Sequence, residues 1–263
     1  MENGKKARLS QFINKESGNS LMVAMDHGIF LGPIEGIKKP LDTIKLLCQG
    51  KPDTFFMPIG LVKMAYKIFI ENRIPFIISI DSRCKMGPEP DYIILSDSVE
   101  HALIAGASGI SMHTLVGPEK TSDMLKGLAM ISESCDKFGM PLLAIMYPEG
   151  FTNNQSVEHV KWAARIGAEL GADLVETYYT GSVESFSEVV ESCPVPVLLS
   201  GGELKKKPID FLRVLKNVID VGGRGCAIGR NIWQYKDPIS MLKAIRRIVH
   251  EKSSPEDALK VLK

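Results

Sequence analysis

Eight short apolar segments, each followed by a longer amphipathic one, dominate this chain of 263 residues. Several of the short segments are continuously apolar, which is typical of parallel strands covered on both faces. The predicted strands are Leu21–Met25, Thr54–Pro58, Phe76–Ile80, Gly109–His113, Leu142–Tyr147, Leu174–Tyr178, Val195–Ser200 and Cys226–Gly229. Eight strand–helix units in roughly 250 residues have the size of a (β/α)8 TIM barrel. We therefore predict one α/β domain, a TIM barrel, over residues 1–263.

The amphipathic segments have helical periodicity and end where helices usually end. Val157–Leu170 and Ile209–Val221 place apolar residues at intervals of three and four, which favours helices with one buried face. Glycines that can adopt a left-handed conformation follow several such segments, at Gly106, Gly139, Gly171 and Gly222. The closing residues 237–263 predict a last barrel helix and a short tail helix. A doubly wound sheet is disfavoured because its usual glycine-rich first turn is missing.

Charge and composition disfavour nucleic acids and membranes as binding partners of this chain. The chain has 32 basic and 31 acidic residues, a net charge of +1, which gives no electrostatic footprint for nucleic acid or for a membrane surface. No apolar run approaches the ~20 residues that span a bilayer, and the first six residues lack the apolar stretch typical of a signal peptide. Five dispersed cysteines without a CxxC pair indicate reduced thiols. We expect a soluble cytoplasmic protein with neither nucleic-acid nor membrane partners.

In such a barrel the functional groups lie at the carboxyl ends of the strands. Asp26 follows the first predicted strand and can accept a proton, orient a substrate hydroxyl or cap the next helix; we favour a functional role. Tyr147 ends the fifth and is a general acid–base candidate if cations lower its pKa from roughly 10, or else a structural tyrosine. His27 and His113 are candidate substrate-binding residues that can equally well be satisfied structural histidines.

Small residues end the seventh and eighth predicted strands. They are Ser200, Gly201 and Gly202, followed by Gly229 and Arg230. The loops after these two strands form the standard phosphate site of TIM barrels, where glycine lets the backbone approach the phosphate closely. Arg230 adds a planar fork suited to phosphate. We predict that these residues bind a phosphorylated small molecule.

The loop after the third predicted strand is also polar. It contains Ser82, Arg83 and Lys85 within a segment rich in glycine and proline. Such a composition is mainly that of a turn. A role in substrate binding and a purely structural role are therefore equally supported.

Five sequence blocks, in order, carry a family resemblance: Met25–Gly28, Leu143–Pro148, Gly167–Asp173, Cys193–Val197 and Ala227–Ile232. Over about residues 15 to 255 the chain resembles the archaeal-type class I fructose-bisphosphate aldolases. That family includes 2-amino-3,7-dideoxy-heptulosonate synthases and autoinducer-2 thiolases (DeoC/LacD-like aldolases). The resemblance implies an aldolase-type lyase or transferase acting on a phosphorylated keto sugar, a homo-oligomer and no cofactor. In the family mechanism a lysine forms an imine that serves as the electron sink.

Glu176 lies where the resemblance implies that lysine, because relatives usually read Val-Lys-Thr where this chain reads Val175-Glu176-Thr177. A carboxylate cannot form an imine. The resemblance also implies that Asp26 lies near the Schiff base, that Tyr147 shuttles protons, and that the small residues of the last two strands hold the phosphate. Many relatives have arginine where this chain has Glu149, which disfavours fructose 1,6-bisphosphate itself.

Several interpretations of Glu176 stay open. It acts as a general base whose pKa is raised by burial beside Asp26, or it is a lysine-to-glutamate substitution in an otherwise ordinary aldolase. Alternatively, Lys85 supplies the imine from another strand. A metal ion held by Asp26, His27, His113 and Glu176 is disfavoured, and a phosphosugar-binding barrel without chemistry is the non-enzyme reading. The candidate catalytic residues are thus Asp26, Tyr147 and Glu176, and we expect no bound metal ion.

Overall fold

The computed structural model describes residues 2–262, apart from the side chain of residue 2. The strands are β1 (Ser20–Ala24), β2 (Thr54–Pro58), β3 (Phe76–Ser79), β4 (Asp81–Ser82), β5 (Ile94–Leu95), β6 (Gly109–Val116), β7 (Leu142–Pro148), β8 (Leu174–Thr177), β9 (Val197–Ser200) and β10 (Gly225–Ile228). All except β4 and β5 form a closed parallel barrel in the order β1-β2-β3-β6-β7-β8-β9-β10, with β10 pairing back to β1. This confirms the predicted TIM barrel. The single domain over 1–263 stays a prediction, and residues 1 and 263 lie outside the described residues.

The helices alternate with the barrel strands, as the sequence predicts. They are α1 (Glu2–Phe12), α2 (His27–Leu31), α3 (Pro40–Cys48), α4 (Ile59–Asn72), α5 (Val99–Ile104), α6 (Thr121–Phe138), α7 (Val157–Glu169), α8 (Val183–Ser192), α9 (Pro208–Asp220), α10 (Arg230–Trp233), α11 (Pro238–Glu251) and α12 (Pro255–Leu259). The four glycines predicted to end helices all have positive φ. Within residues 2–262 no helix has the length and apolar character needed to cross a membrane.

Alternation along the strands divides the core into two layers. Val175 packs in the larger cluster between the strands and the surrounding helices, whereas Leu174 packs in the smaller cluster inside the barrel. Because successive strand residues point to opposite faces, Glu176 points into the barrel, on the same side as Leu174. The strand thus dictates that this carboxyl is buried, and only 3% of the residue is exposed.

Helix α1, which the sequence patterns did not predict, closes the amino-terminal end of the barrel. Phe12 is 1% exposed and packs in the cluster inside the barrel. Its carbonyl oxygen accepts a hydrogen bond of 2.6 Å from the Ser20 hydroxyl. Lys5 joins the helix to Asp136 and Asp173, with Nζ–O distances of 2.6 and 2.9 Å. The segment is mostly polar, so hydrophobic periodicity could not predict it.

Candidate active site

A cavity of about 420 Å³ lies at the carboxyl ends of the barrel strands. All the residues proposed from the sequence line it: Asp26, His27, His113, Tyr147, Glu176, Ser200, Gly201, Gly202, Gly229 and Arg230. They come from six different strand ends, which the closed barrel brings to one place. Their roles remain predictions, but their proximity is a property of the fold.

Glu176 is linked to two neighbouring strand ends by hydrogen bonds. The Tyr147 hydroxyl lies 2.8 Å from its Oε1 and 2.7 Å from the hydroxyl of Ser200. The other carboxyl oxygen, Oε2, is buried and has no hydrogen-bond partner among residues 2–262. A buried, unpartnered acceptor is costly for a protein to keep. Protonation of Oε2 would convert it into a donor available to a ligand in the cavity.

The pKa of Glu176 is raised from its ordinary value of 4.5 to about 8. Burial is the main cause, and the negative charge of Asp26 adds to it. The charge of His113 and the hydrogen bond from Tyr147 act in the opposite direction but do not cancel the effect of burial. The carboxyl therefore carries a proton at neutral pH.

Tyr147 does not have the environment that the sequence suggested. Its pKa is raised well above 10, first by burial and then by the neighbouring Glu176 carboxyl, so the condition set for a general acid–base role, a pKa lowered by cations, is not met. Tyr147 also stacks on Tyr178, with ring centres 4.3 Å apart and planes 5° from parallel. The phenol is therefore held in one orientation as a neutral hydrogen-bond donor or relay.

Asp26 and His113 form part of a second network. The Asp26 carboxylate lies 3.2 Å from Nδ1 of His27 and 3.4 Å from Nε2 of His113. Asp26 stands at the N-cap position of α2, yet its side chain makes no capping hydrogen bond, which argues against the alternative role as a helix cap. Burial alone would raise its pKa, but the two histidines outweigh burial and lower it. Asp26 is thus the ionised carboxylate of the site.

Asp81 holds His113 in place, and sequence analysis did not identify it as a site residue. Its carboxylate accepts hydrogen bonds from the His113 backbone N–H at 3.0 Å and pairs with Nδ1 at 3.1 Å. Burial lowers the pKa of His113, but Asp81 and then Asp26 raise it, to about 9. The imidazole is therefore a cation at neutral pH. The strand-end rule that found Asp26 applies equally to Asp81, which directly follows the third predicted strand.

The loops after β9 and β10 form the predicted cradle of small residues. A Cβ atom at Gly229 would lie 2.6 Å from Cε1 of His27, so only glycine fits there. Asn231, missed as a site residue although it lies in a quoted block, donates to the carbonyl oxygens of Gly201 and Glu203 at 2.8 Å. Arg230 lies 3.6 Å from the Glu203 carboxylate, and its buried Nε has no partner among the described residues.

The outer wall of the cavity carries both signs of charge. The Glu149 carboxylate accepts two hydrogen bonds, from Tyr178 to Oε1 at 2.6 Å and from Asn154 to Oε2 at 2.5 Å. Arg83 and the exposed Lys85 also line the cavity. The loop after β3 thus contributes cations where Glu149 contributes an anion.

The disfavoured metal alternative finds no support in the donor arrangement. Across residues 2–262, no group of three or more histidine, cysteine, aspartate and glutamate side chains could hold a metal ion. His113, one of the four candidate ligands, instead has its ring nitrogens facing Asp81 and Asp26.

Comparisons with known proteins agree over nearly the whole chain. A family model described as DeoC/LacD family aldolase matches residues 20–235. The 2-amino-3,7-dideoxy-D-threo-hept-6-ulosonate synthase 1 of Archaeoglobus fulgidus is 34% identical, over 97% of this chain and 95% of its own. The crystal structure of an archaeal fructose 1,6-bisphosphate aldolase is similar with a TM-score of 0.87 at 30% identity, covering 95% of this chain and 100% of that one. Another archaeal fructose-1,6-bisphosphate aldolase, with its catalytic Lys covalently bound to the carbinolamine intermediate of the substrate, has a TM-score of 0.86 at 30% identity, covering 94% and 100%.

Proposed function

Because the chain belongs to the DeoC/LacD family of aldolases and is an aldolase-type lyase by that membership, we propose that it makes or breaks a carbon–carbon bond in a phosphorylated keto sugar. We further propose that it does so with Glu176 as an acid instead of a lysine as an imine former. The observation that carries this proposal is the buried carboxyl of Glu176, with a pKa of about 8 and an unpartnered Oε2. A neutral carboxylic acid in such a site can donate a hydrogen bond to a carbonyl oxygen.

The proposed chemistry needs an acid and a base in one cavity. In the cleavage direction, Asp26 takes the proton of the substrate hydroxyl next to the bond that breaks. The electrons of that carbon–carbon bond move into the ketone, and Glu176 protonates the ketone oxygen to give an enol. Asp26 then gives its proton to the enol carbon that lost the bond as the enol reverts to a ketone and returns its hydroxyl proton to Glu176, so both carboxyls regain their starting states. Tyr147, 2.8 Å from Glu176, orients the acid, and the His113 cation favours the developing negative charge.

The phosphate of the substrate is proposed to bind at Gly201, Gly202, Gly229 and Arg230. The support is the place of these residues after β9 and β10, together with the free Nε of Arg230. Phosphate sites in TIM barrels commonly occupy these two loops. The archaeal fructose 1,6-bisphosphate aldolases named above provide a phosphorylated keto sugar as the model substrate class.

We also propose that the protein is cytoplasmic and forms a homo-oligomer. All five cysteines are free thiols, and only Cys84 is exposed while the others are buried. Free thiols are usual in reducing compartments. The oligomer rests on the family resemblance alone.

The proposal is tested by following hydrogen exchange at carbon in dihydroxyacetone phosphate, dissolved in D₂O, by proton NMR. We expect the protein to catalyse exchange, and the rate to fall as pH rises through about 8 because Glu176 then loses its proton. In Glu176→Gln the exchange rate should drop roughly 100- to 10,000-fold, and the residual rate should lack this decline.

The control is borohydride reduction of the same mixture followed by mass spectrometry. No covalent adduct is expected. An adduct at Lys85 or any other lysine would instead establish an imine mechanism and refute the role given to Glu176. Tight binding of dihydroxyacetone phosphate without exchange would indicate a phosphosugar-binding barrel without chemistry.

A further inference from the structure

Arg83 lines the cavity and forms no ion pair with any carboxylate of the described residues. Its guanidinium carbon lies 3.9 Å from the centre of the Phe30 ring, a cation–π contact. Within residues 2–262, no hydrogen bond or ion pair involves its side chain. A guanidinium held on an aromatic face keeps its planar set of donors free for a carboxylate or a phosphate.

Residues of the active site fix the position of Arg83 from two sides. Asp81, two residues earlier, pairs with Leu95 in the β4–β5 hairpin and binds His113 through its carboxylate. Phe30 lies in α2, the helix that follows Asp26. A second link joins the two segments, because the backbone N–H of Lys85 donates to the carbonyl oxygen of Phe30 at 3.4 Å. Arg83 is therefore positioned by the same elements as the catalytic candidates.

The order of strands places Arg83 across the barrel from the phosphate cradle. In the closed sheet, β3 is the third strand from β1 and β9 is the seventh, so four of the eight positions separate them. The loops after these strands therefore face each other over the cavity. Glu176 and Tyr147, from β8 and β7, lie deeper, between the two loops along the wall.

The charge of Arg83 acts on the centre of the site. Burial is the main influence on the pKa values of both His113 and Tyr178, and the Arg83 charge lowers each of them. Glu149 remains an anion of the same wall, but its two oxygens accept from Tyr178 and Asn154, and it forms no ion pair with Arg83 among the described residues. The outer end of the cavity thus has a guanidinium whose donors are not engaged by a carboxylate.

We propose that Arg83 binds a second anionic group of the substrate, at the end of the keto chain remote from the phosphate in the cradle. The inference rests on the proposed function and deepens it, since it makes the substrate doubly anionic. The second group is a phosphate or a carboxylate, because a guanidinium recognises both in the same geometry. In this chain the distal anion is then bound from the loop after β3, and not from the position after Tyr147-Pro148.

The test compares three ligands by isothermal titration calorimetry. They are fructose 1-phosphate, fructose 1,6-bisphosphate, and a 1-phosphorylated hexulose of the same length that ends in a carboxylate at carbon 6. In Arg83→Ala, affinity for at least one of the doubly anionic ligands should fall about 10- to 100-fold, while affinity for fructose 1-phosphate should not change. Arg83→Lys should recover only part of the loss, because lysine lacks the planar fork.

Two further variants separate the possible outcomes. Arg230→Ala should weaken all three ligands, since each carries the phosphate proposed for the cradle, and Arg165→Ala, on the exposed face of α7, should change none. If Arg83→Ala weakens fructose 1,6-bisphosphate, the distal group is a phosphate. If it weakens the ligand that ends in a carboxylate, the distal group is a carboxylate. Equal effects of Arg83→Ala on one-anion and two-anion ligands, or no effect, would overturn the inference. If the wild-type protein binds none of the three, the proposed function fails instead.

Discussion

At the scale of single residues, Glu176 combines a functional arrangement with an energetic cost. A carboxyl whose pKa is higher in the folded than in the unfolded state lowers the free energy of unfolding once the pH exceeds the unfolded pKa. This loss of stability begins above the ordinary pKa of 4.5 and is complete above the folded pKa of about 8. The free energy of unfolding should therefore decrease through this window. Such a cost at a strand end inside a cavity is typical of functional groups.

Replacing Glu176 by glutamine should remove this pH-dependent cost. The amide keeps the shape and can still accept from Tyr147, but it does not ionise. Relative to wild type, Glu176→Gln should gain up to about 1.4 kcal/mol of stability for each pH unit between 4.5 and 8, measured by urea denaturation at a series of pH values. Glu203→Gln, at an exposed carboxyl of the same cavity, is the control. A constant difference between Glu176→Gln and wild type across the series would contradict the raised pKa.

Installing a lysine at this position tests whether the rest of the site supports imine chemistry. Burial and the neighbouring His113 cation should both lower the pKa of the new amine and so make it nucleophilic. With dihydroxyacetone phosphate and borohydride, Glu176→Lys should give a covalent adduct that is detected by mass spectrometry. Glu203→Lys places an amine in the same cavity but outside the barrel interior. Equal labelling of both variants would indicate non-specific amine chemistry.

The sequence identified which residues meet at the cavity but not how they pair. Strand ends can be located from apolar runs, and barrel closure then brings Asp26, Tyr147 and Glu176 together. The pairing of His113 with Asp81, and the raised pKa of Tyr147, depend on side-chain directions and burial. Neither is encoded in strand spacing, so both had to come from the structure.

At the scale of secondary-structure elements, α1 shows where periodicity stops being informative. The helix buries mainly one large side chain, Phe12, and is otherwise held by polar contacts such as those of Lys5 with Asp136 and Asp173. An amphipathic helix such as α9 buries several apolar residues on one face and was predicted closely. The helix α1 depends on tertiary contacts that no local pattern reveals.

Shortening Phe12 should therefore destabilise the barrel without altering its catalytic end. Phe12→Ala removes a fully buried aromatic ring, for which a loss of about 3–5 kcal/mol is expected, measured as the free energy of unfolding in urea. Ser10→Ala, on the exposed side of the same helix, should stay within about 0.5 kcal/mol of wild type. If the two variants were equally stable, α1 would not be the closure of the barrel that its burial indicates.

At the scale of the whole molecule, the fold was predictable because one pattern, a short apolar segment followed by a longer amphipathic one, repeats along the chain. The eight predicted strands all exist. The largest difference in their bounds is at the carboxyl end of β6, which extends from the predicted His113 to Val116, whereas β7 extends only from Tyr147 to Pro148 and β9 begins at Val197 instead of Val195. Strands β6 and β7 pair from Ile110 opposite Leu142 to Val116 opposite Pro148. The extra pairs continue through residues that sequence analysis assigned to loops, since mixed polar and apolar strand ends have no clear alternation.

The closure of the barrel by Phe12 has a kinetic consequence. Aldol cleavage gives two fragments, and the interior offers them no path through the amino-terminal end, so both leave past the loops that carry Arg83 and Arg230. In the proposed mechanism, the ketone fragment hydrogen-bonded to Glu176 is deeper than the fragment held by Arg83, and it cannot leave while the outer fragment blocks the mouth. Release should be ordered, and product inhibition in steady-state kinetics should show it. The inner ketone fragment should inhibit competitively against the cleaved sugar and the outer aldehyde fragment non-competitively, whereas competitive inhibition by both would mean that the fragments depart independently.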